Sequence, residues 1–208
     1  MSQSKLVLLL LLTLLLILPP GCRTRSDAFV IALGDNICTI DPIGSPSVDA
    51  ASERVRTLIF NTLVKKDEKF DYVGELASDI QRSDDGLTYT FTLHDDVKFH
   101  NGQPLTSADV KYTLDLVFSS NFAKSASFYK TGAEKRSYIK SVDAPDPRTV
   151  VVTLIEPWVG LLSNLVPVAI IPKDSYESQK THPLGSGPFK FVRYDNAQQV
   201  CDVEAFPE

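Results

Sequence analysis

Histidine is scarce in this 208-residue sequence, which holds only His94, His100 and His182. They are scattered, with no HExxH run and no pair four residues apart, so the usual helical zinc-hydrolase site is excluded. His100 precedes a turn and reads as structural. Cysteine is as rare: Cys22, Cys38 and Cys201. No CxxC or CxxH spacing exists, which argues against a structural zinc site. No P-loop or dinucleotide fingerprint occurs. Gly185-Ser186-Gly187 is not a GxSxG elbow, because Leu184 holds the first glycine position, so Ser186 is not read as a nucleophile. Its two glycines suit unusual backbone at a crossover. Positive charge is also short, with 21 Lys and Arg against 26 Asp and Glu, a formal net charge of -5. There is no basic stripe. The one Lys cluster (Lys65, Lys66, Lys69) sits beside Asp67 and Glu68 and reads as a solvated loop, so nucleic acid is not an expected partner. The single tryptophan, Trp158, lies in an apolar Pro-Trp-Val context and reads as core.

The best-specified stretch is residues 84–119. Leu87, Tyr89, Phe91 and Leu93 alternate with Thr88, Thr90 and Thr92, the period of two of a half-buried strand. Asp85-Gly86 sets a turn before it. Val97 and Phe99 predict a shorter strand, closed by the turn pair Asn101-Gly102. Thr106 then opens a helix with Asp109 as its capping-box partner, and Val110, Leu114, Val117 and Phe118 follow at helical spacing.

Elsewhere the apolar run 28–33 predicts a buried strand, broken at Gly34-Asp35-Asn36 and resumed by Ile37-Cys38-Thr39-Ile40. From Asp49 a helix is expected, with Ala51, Val55, Leu58, Ile59 and Leu63 inward and Ser52, Glu53, Arg54 and Arg56 outward. Residues 121–137 read as a loop with a weak helix. Ile139 to Val142 is a candidate strand, and 144–148 a Pro-rich turn cluster. Residues 149–154 form a strand, 160–165 a short helix and 168–171 a buried strand. Residues 182–188 carry the densest Gly/Pro run, the natural place for a crossing or hinge. Two strands, 189–192 and 200–205, form a hairpin. Mixed strands and helices predict an α/β or α+β fold, and the length suits one domain or two small ones.

The N-terminus reads as an export signal. Lys5 precedes a thirteen-residue apolar run, 6–18. As a helix this spans about 20 Å at ~1.5 Å per residue, short against a bilayer core of ~30 Å and right for a signal-peptide core. Pro19-Pro20-Gly21-Cys22 follows and resembles the lipobox of bacterial lipoproteins, with Pro19 where Leu is usual. The resemblance implies cleavage before Cys22, lipid on its thiol and a polar tether over 22–27. Cys38 and Cys201 then remain in an oxidising setting, either bridged or as two separately buried thiols.

The ordered motifs resemble the extracytoplasmic solute-binding proteins of ABC importers, family 5, the oligopeptide, dipeptide and nickel-binding type. They are Thr39-Ile40-Asp41-Pro42, Asn61-Thr62-Leu63-Val64, Gly74-Glu75-Leu76-Ala77, the strand led by Asp84-Asp85-Gly86, Val97-Lys98-Phe99-His100-Asn101-Gly102, Leu105-Thr106-Ser107-Ala108-Asp109-Val110 and Gly185-Ser186-Gly187-Pro188-Phe189. His94 departs from the Arg or Lys usual there.

The resemblance covers residues 28 to 207. It implies a periplasmic-binding-protein-like type II fold, with 28–60 and 185–208 in the first lobe, 61–184 as an accessory subdomain, and the second lobe missing. It implies a monomeric, non-enzymatic binding protein without cofactor. Such a protein captures peptides or similar small solutes outside the cytoplasmic membrane, anchored by lipid on Cys22, and delivers them to a permease powered by a separate ATPase. By position, the first lobe's ligand contacts map onto Asp35, Asn36, Ile37, Cys38 and Thr39 and onto Gly185, Ser186 and Gly187. Residues 37–40 read equally as a strand that pairs with an extended peptide or as an ordinary edge strand, and Asp35 and Asn36 equally as turn residues. A truncated fragment without binding activity is one alternative reading. An exported lipoprotein hydrolase is the other, although no nucleophile–base pair is evident.

Overall fold

Threonine-rich alternation gives the molecule its central sheet. In the computed structural model, which describes residues 30–45, 49–131 and 136–207, β4 (Thr88–Leu93) buries every second residue, so that Tyr89, Phe91 and Leu93 face inward and the threonines outward. β6 (Thr149–Leu154) repeats the pattern with Val150, Val152 and Leu154. These strands pair antiparallel at the centre of a four-stranded sheet of order β3-β4-β6-β5, with β3 (Ala77–Arg82) and β5 (Ile139–Asp146) at its edges. The hairpin β1 (Val64–Lys66) with β2 (Tyr72–Gly74) precedes this sheet, and β7 (Phe189–Asp195) with β8 (Val200–Ala205) closes the chain.

Two helices carry most of the remaining core. α1 (Ala50–Ile59) begins at Asp49, whose carboxylate accepts the Ser52 N–H at 2.7 Å. α2 (Ser107–Ser119) begins at Thr106, whose N–H and hydroxyl both donate to the Asp109 carboxylate at 2.8 Å. This is the expected helix start. The inward face of α2, Val110, Leu114 and Val117, is completely buried. Each such side chain stabilises the fold by about 1.5–3 kcal/mol. A 3-10 turn (Lys124–Phe128) and the short helices α3 (Leu161–Leu165) and α4 (Tyr176–Gln179) complete the elements. Trp158 stacks on Tyr138 at 4.3 Å and meets the buried Phe128 edge-on. Among the described residues no helix is long and apolar enough to cross a membrane.

Several expectations are corrected. Residues 30–33 form no strand: apolar composition alone does not make one, because a strand exists only as a paired structure. Residues 168–171 are fully buried as expected but form no strand. There the Ile170 N–H goes to the Asn61 carbonyl and the Ile171 N–H to the Thr113 hydroxyl, one to each side. The Lys65–Lys66 stretch is exposed but lies in β1 rather than in a loop. β5 runs through Pro145 to Asp146, where a turn was expected. It tolerates proline because it is an edge strand with a register shift between Asp143 and Asp146. Cys22 and the signal run lie outside the described residues.

Candidate functional site

The two stretches mapped as ligand-facing both pack on α1, at different heights. Ser52 in the first turn holds residues 37–39: its hydroxyl oxygen accepts the Cys38 N–H at 3.0 Å and the Thr39 N–H at 3.2 Å. The closing hairpin grips the same segment. The Gln199 side chain accepts the Ile37 N–H at 2.7 Å, and the Tyr194 hydroxyl donates to the Ile37 carbonyl at 2.6 Å. Gln199 sits in the left-handed region, φ 56, which lets the β7–β8 turn aim its amide inward. Asp41 then ties a turn, its Oδ1 accepting from Ile43 and Gly44 and its Oδ2 from the Tyr176 hydroxyl at 3.2 Å.

Residues 37–40 are therefore not a strand, which corrects the expected pairing edge. The N–H groups of Ile37, Cys38 and Thr39 are already used within the chain. Only Asp35, Asn36 and the Cys38 side chain stand out to solvent here, while Ile37 is buried and Thr39 half-buried. Cys38 and Cys201 are both free thiols, unbridged, but Cys38 is exposed and Cys201 half-buried, which corrects the expectation of two buried ones. Burial pushes the Cys201 thiol up to about 11.

The other stretch meets the C-terminal end of the helix. The Gly187 N–H donates to the Ile59 carbonyl at 2.9 Å. A Cβ on Gly185 would stand 2.0 Å from the Ile59 carbonyl oxygen, and one on Gly187 would stand 2.7 Å from the Ile59 carbonyl carbon. The glycines are there for close backbone approach. Ser186 is half-buried and donates to Asn61 Oδ1 at 3.0 Å. His100 reaches in from the turn after Phe99. Its main-chain N–H donates to the Gly185 carbonyl and its Nε2 meets the Gly187 carbonyl, both at 2.9 Å. From Ser52 to Ile59 is seven residues, about 10 Å along the helix at ~1.5 Å per residue. The two stretches thus share one scaffold without touching through any of these bonds.

Between them lies a charged cluster that periodicity hides. Arg56 and Lys124 are buried, although Arg56 and Ser52 read as outward residues of α1. Arg56 pairs with Glu53 and donates to the Pro42 carbonyl at 3.2 Å. Lys124 donates to the Pro42 carbonyl at 3.2 Å and the Pro167 carbonyl at 2.6 Å, with Glu53 at 3.5 Å. Burial, reinforced by the neighbouring Arg56, lowers Lys124 to about 8. This cluster locks the 41–44 turn, α1, the 3-10 turn and the end of α3 together. Among the described residues no group of three or more His, Cys, Asp or Glu is placed to hold a metal ion.

The sequence profile of the bacterial extracellular solute-binding proteins, family 5 (middle region), matches residues 71–208. A putative ABC transporter peptide-binding protein of Brucella ovis is 37% identical over 161 residues, which is 72% of this chain and 29% of that protein. The glutathione-binding protein GsiB of Pectobacterium atrosepticum is 32% identical over 184 residues, 85% of this chain and 34% of that one. Among solved structures, the oligopeptide-binding protein AppA of Bacillus subtilis, in complex with a nonapeptide, superposes with a TM-score of 0.68 at 27% identity. The superposition covers 81% of this chain and 34% of AppA. NikZ of Campylobacter jejuni, in complex with Ni(L-His), gives 0.65 at 31% identity, over 77% of this chain and 32% of that one. The chain spans about a third of the length of these relatives. The shared profile and the shared type II binding-protein fold together place this chain in the family 5 bacterial extracellular solute-binding proteins.

Proposed function

We propose that this chain is the first-lobe portion of the substrate-binding component of an ABC importer, and that it takes peptides or similar small solutes outside the cytoplasmic membrane for a permease. The family match over residues 71–208 carries this reading. AppA, which shares the fold, was solved in complex with a nonapeptide, and the relatives include peptide- and glutathione-binding proteins. Residues 28–60 and 185–208 form the lobe, and 61–184 the accessory subdomain. Asp35, Asn36, Ile37, Cys38, Thr39, Gly185, Ser186 and Gly187 border the ligand. Their contribution rests on the side chains of Asp35, Asn36, Cys38, Thr39 and Ser186, because the N–H groups of Ile37, Cys38 and Thr39 and the carbonyls of Ile37, Gly185 and Gly187 are internally bonded. Neither Ser186, bonded to Asn61, nor His100, bonded to Gly187, forms a nucleophile–base pair with the other, so binding without chemistry is the better reading.

The test is an amide-resolved NMR titration of the chain with glutathione and di- to nonapeptides at millimolar concentration. Shifts concentrated at residues 35–39 and 185–187 are expected. Their absence across the whole panel would overturn the reading, and hydrolysis of a peptide would favour a hydrolase instead. Residues 1–21 act as the signal and Cys22 as the lipid attachment point. Palmitate label in cells expressing the wild-type chain should vanish in Cys22→Ala, and unchanged label would sink the anchor.

A further inference from the structure

His100 is only 5% exposed, yet its Nδ1 has no hydrogen-bond partner. Its other ring nitrogen faces a carbonyl, which only accepts, so Nε2 carries the proton and Nδ1 is a bare lone pair in the neutral ring. The same residue uses its main-chain N–H on the Gly185 carbonyl. One residue therefore holds the carbonyls on both sides of Ser186, while the ring edge packs on Phe206 at 4.9 Å. Phe206 is itself tied to the crossing by its N–H on the Pro188 carbonyl.

We propose that His100 is a positioning residue for the ligand-facing crossing, fixing Gly185–Gly187 from both carbonyls in its neutral form and releasing the Gly187 carbonyl when the ring takes a second proton. This deepens the binding role proposed above and rests on it for the ligand readout. A protonated ring keeps its Nε2–H bond but must bury a charge and an unpaired Nδ1–H. Burying an unpaired charged donor is strongly unfavourable. The charged residue acting on the ring is Lys190 on β7, which repels the imidazolium; it is itself 3.5 Å from Glu204 on β8. The α1 end meets residues 185–187 through main chain at Leu58 and Ile59 and the Phe60 ring, and 185–187 are only glycine and serine, so neither supplies a counter-charge. Burial accordingly lowers the His100 titration below the ordinary imidazole range, with the Gly187 carbonyl opposing and Lys190 adding to it. The ring can satisfy Nδ1–H only by leaving for water, and the Gly187 contact leaves with it.

The experiment follows the Gly185, Ser186 and Gly187 amide signals of the ligand-free chain from pH 8 downward. In the wild-type chain they should titrate together with a midpoint below the ordinary histidine value. In His100→Gln, whose amide nitrogen can still donate to the Gly187 carbonyl, they should sit near their neutral-pH positions and stay flat. Signals that are flat in the wild-type chain, or that titrate equally in His100→Gln, overturn the proposal. A peptide or glutathione that binds at neutral pH should then weaken by about tenfold per pH unit below that midpoint in wild type, and not in His100→Gln. If nothing in the panel binds, the functional reading fails, while the ligand-free titration still decides the role of His100. His100→Phe, which fills the space without a donor, should displace the three amide signals at every pH. Unmoved signals in that variant also overturn the proposal.

Discussion

Gly185→Ala is expected to cost about 3 kcal/mol or more of folding stability, far beyond an ordinary glycine-to-alanine change. The added Cβ would lie 2.0 Å from the Ile59 carbonyl oxygen and 2.8 Å from its carbon. Those atoms are main chain at the end of α1, so no rotamer change removes the clash. Either the crossing or the helix end must move. Movement of the crossing breaks the Gly187–Ile59 and His100–Gly185 bonds, both 2.9 Å long. For a unit of this size the loss corresponds to a fall in melting temperature of roughly 6–12 °C. Gly34→Ala is the control, since nothing lies within 4 Å of its added Cβ, and it should stay within about 0.5 kcal/mol of wild type. Urea unfolding followed by the single tryptophan, Trp158, reads both. A Gly185→Ala midpoint equal to that of the control would show that the crossing is not packed on the helix as described.

Lys124→Ala should be comparably damaging, at about 3–5 kcal/mol. Deletion removes one of the two donors to the buried Pro42 carbonyl, the donor to the part-buried Pro167 carbonyl and one of the two cations from Glu53. A carbonyl or carboxylate that loses its charged donor in a partly buried site costs more than forming the bond contributes. Lys124→Met retains the alkyl stem and should lose less. The pH dependence distinguishes the buried charge from simple packing. Folding lowers Lys124 to about 8 from an ordinary 10.5. Between those values the unfolded chain binds more protons than the folded one, so this residue makes stability rise with pH, and the gain is lost again as pH falls through 8. The contribution over pH 8 to 9 is about 1 kcal/mol. Cys201, raised to about 11 by burial, acts in the opposite direction from its ordinary 9.0 upward, but it is common to both chains. The stability difference between wild type and Lys124→Met should therefore shift in favour of wild type by about 1 kcal/mol across that interval. A difference independent of pH would mean that Lys124 is not a buried cation.

These two sites differ in how far they could be read from the linear chain. The glycines of the crossing stood out by composition, but the reading of unusual backbone is corrected: neither Gly185 nor Gly187 has a positive φ, and close main-chain approach to Ile59 is what requires them. Nothing in the chain marked Lys124 as buried; it sits in a Ser-, Lys- and Ala-rich stretch that reads as a loop with a weak helix, and the structure places it at the start of the 3-10 turn. Arg56 and Ser52 read as outward by helical spacing, and the structure buries both. Spacing locates one apolar face of a helix; it is silent on a second face covered by the 41–44 turn and the 3-10 turn. Gln199 and Tyr194 were equally hidden. Their bonds to Ile37 span 162 and 157 residues of sequence, so no local pattern carries them.

What the sequence determined by itself is local: the alternating strands β4 and β6, the Thr106–Asp109 helix start, the closing hairpin, and the ordered motifs that point to the family. Each depends on steric preference or hydrogen bonding within a few residues, and such signals survive in one dimension. The tertiary structure alone decided which apolar runs become strands. Residues 37–40 and 168–171 have strand composition, but their N–H groups go to Ser52, Gln199, Asn61 and Thr113 instead of to a neighbouring strand. It also decided which charges are buried. A lysine or arginine enters the interior only where distant carbonyls and a carboxylate converge to meet it, and that convergence is a property of the folded chain.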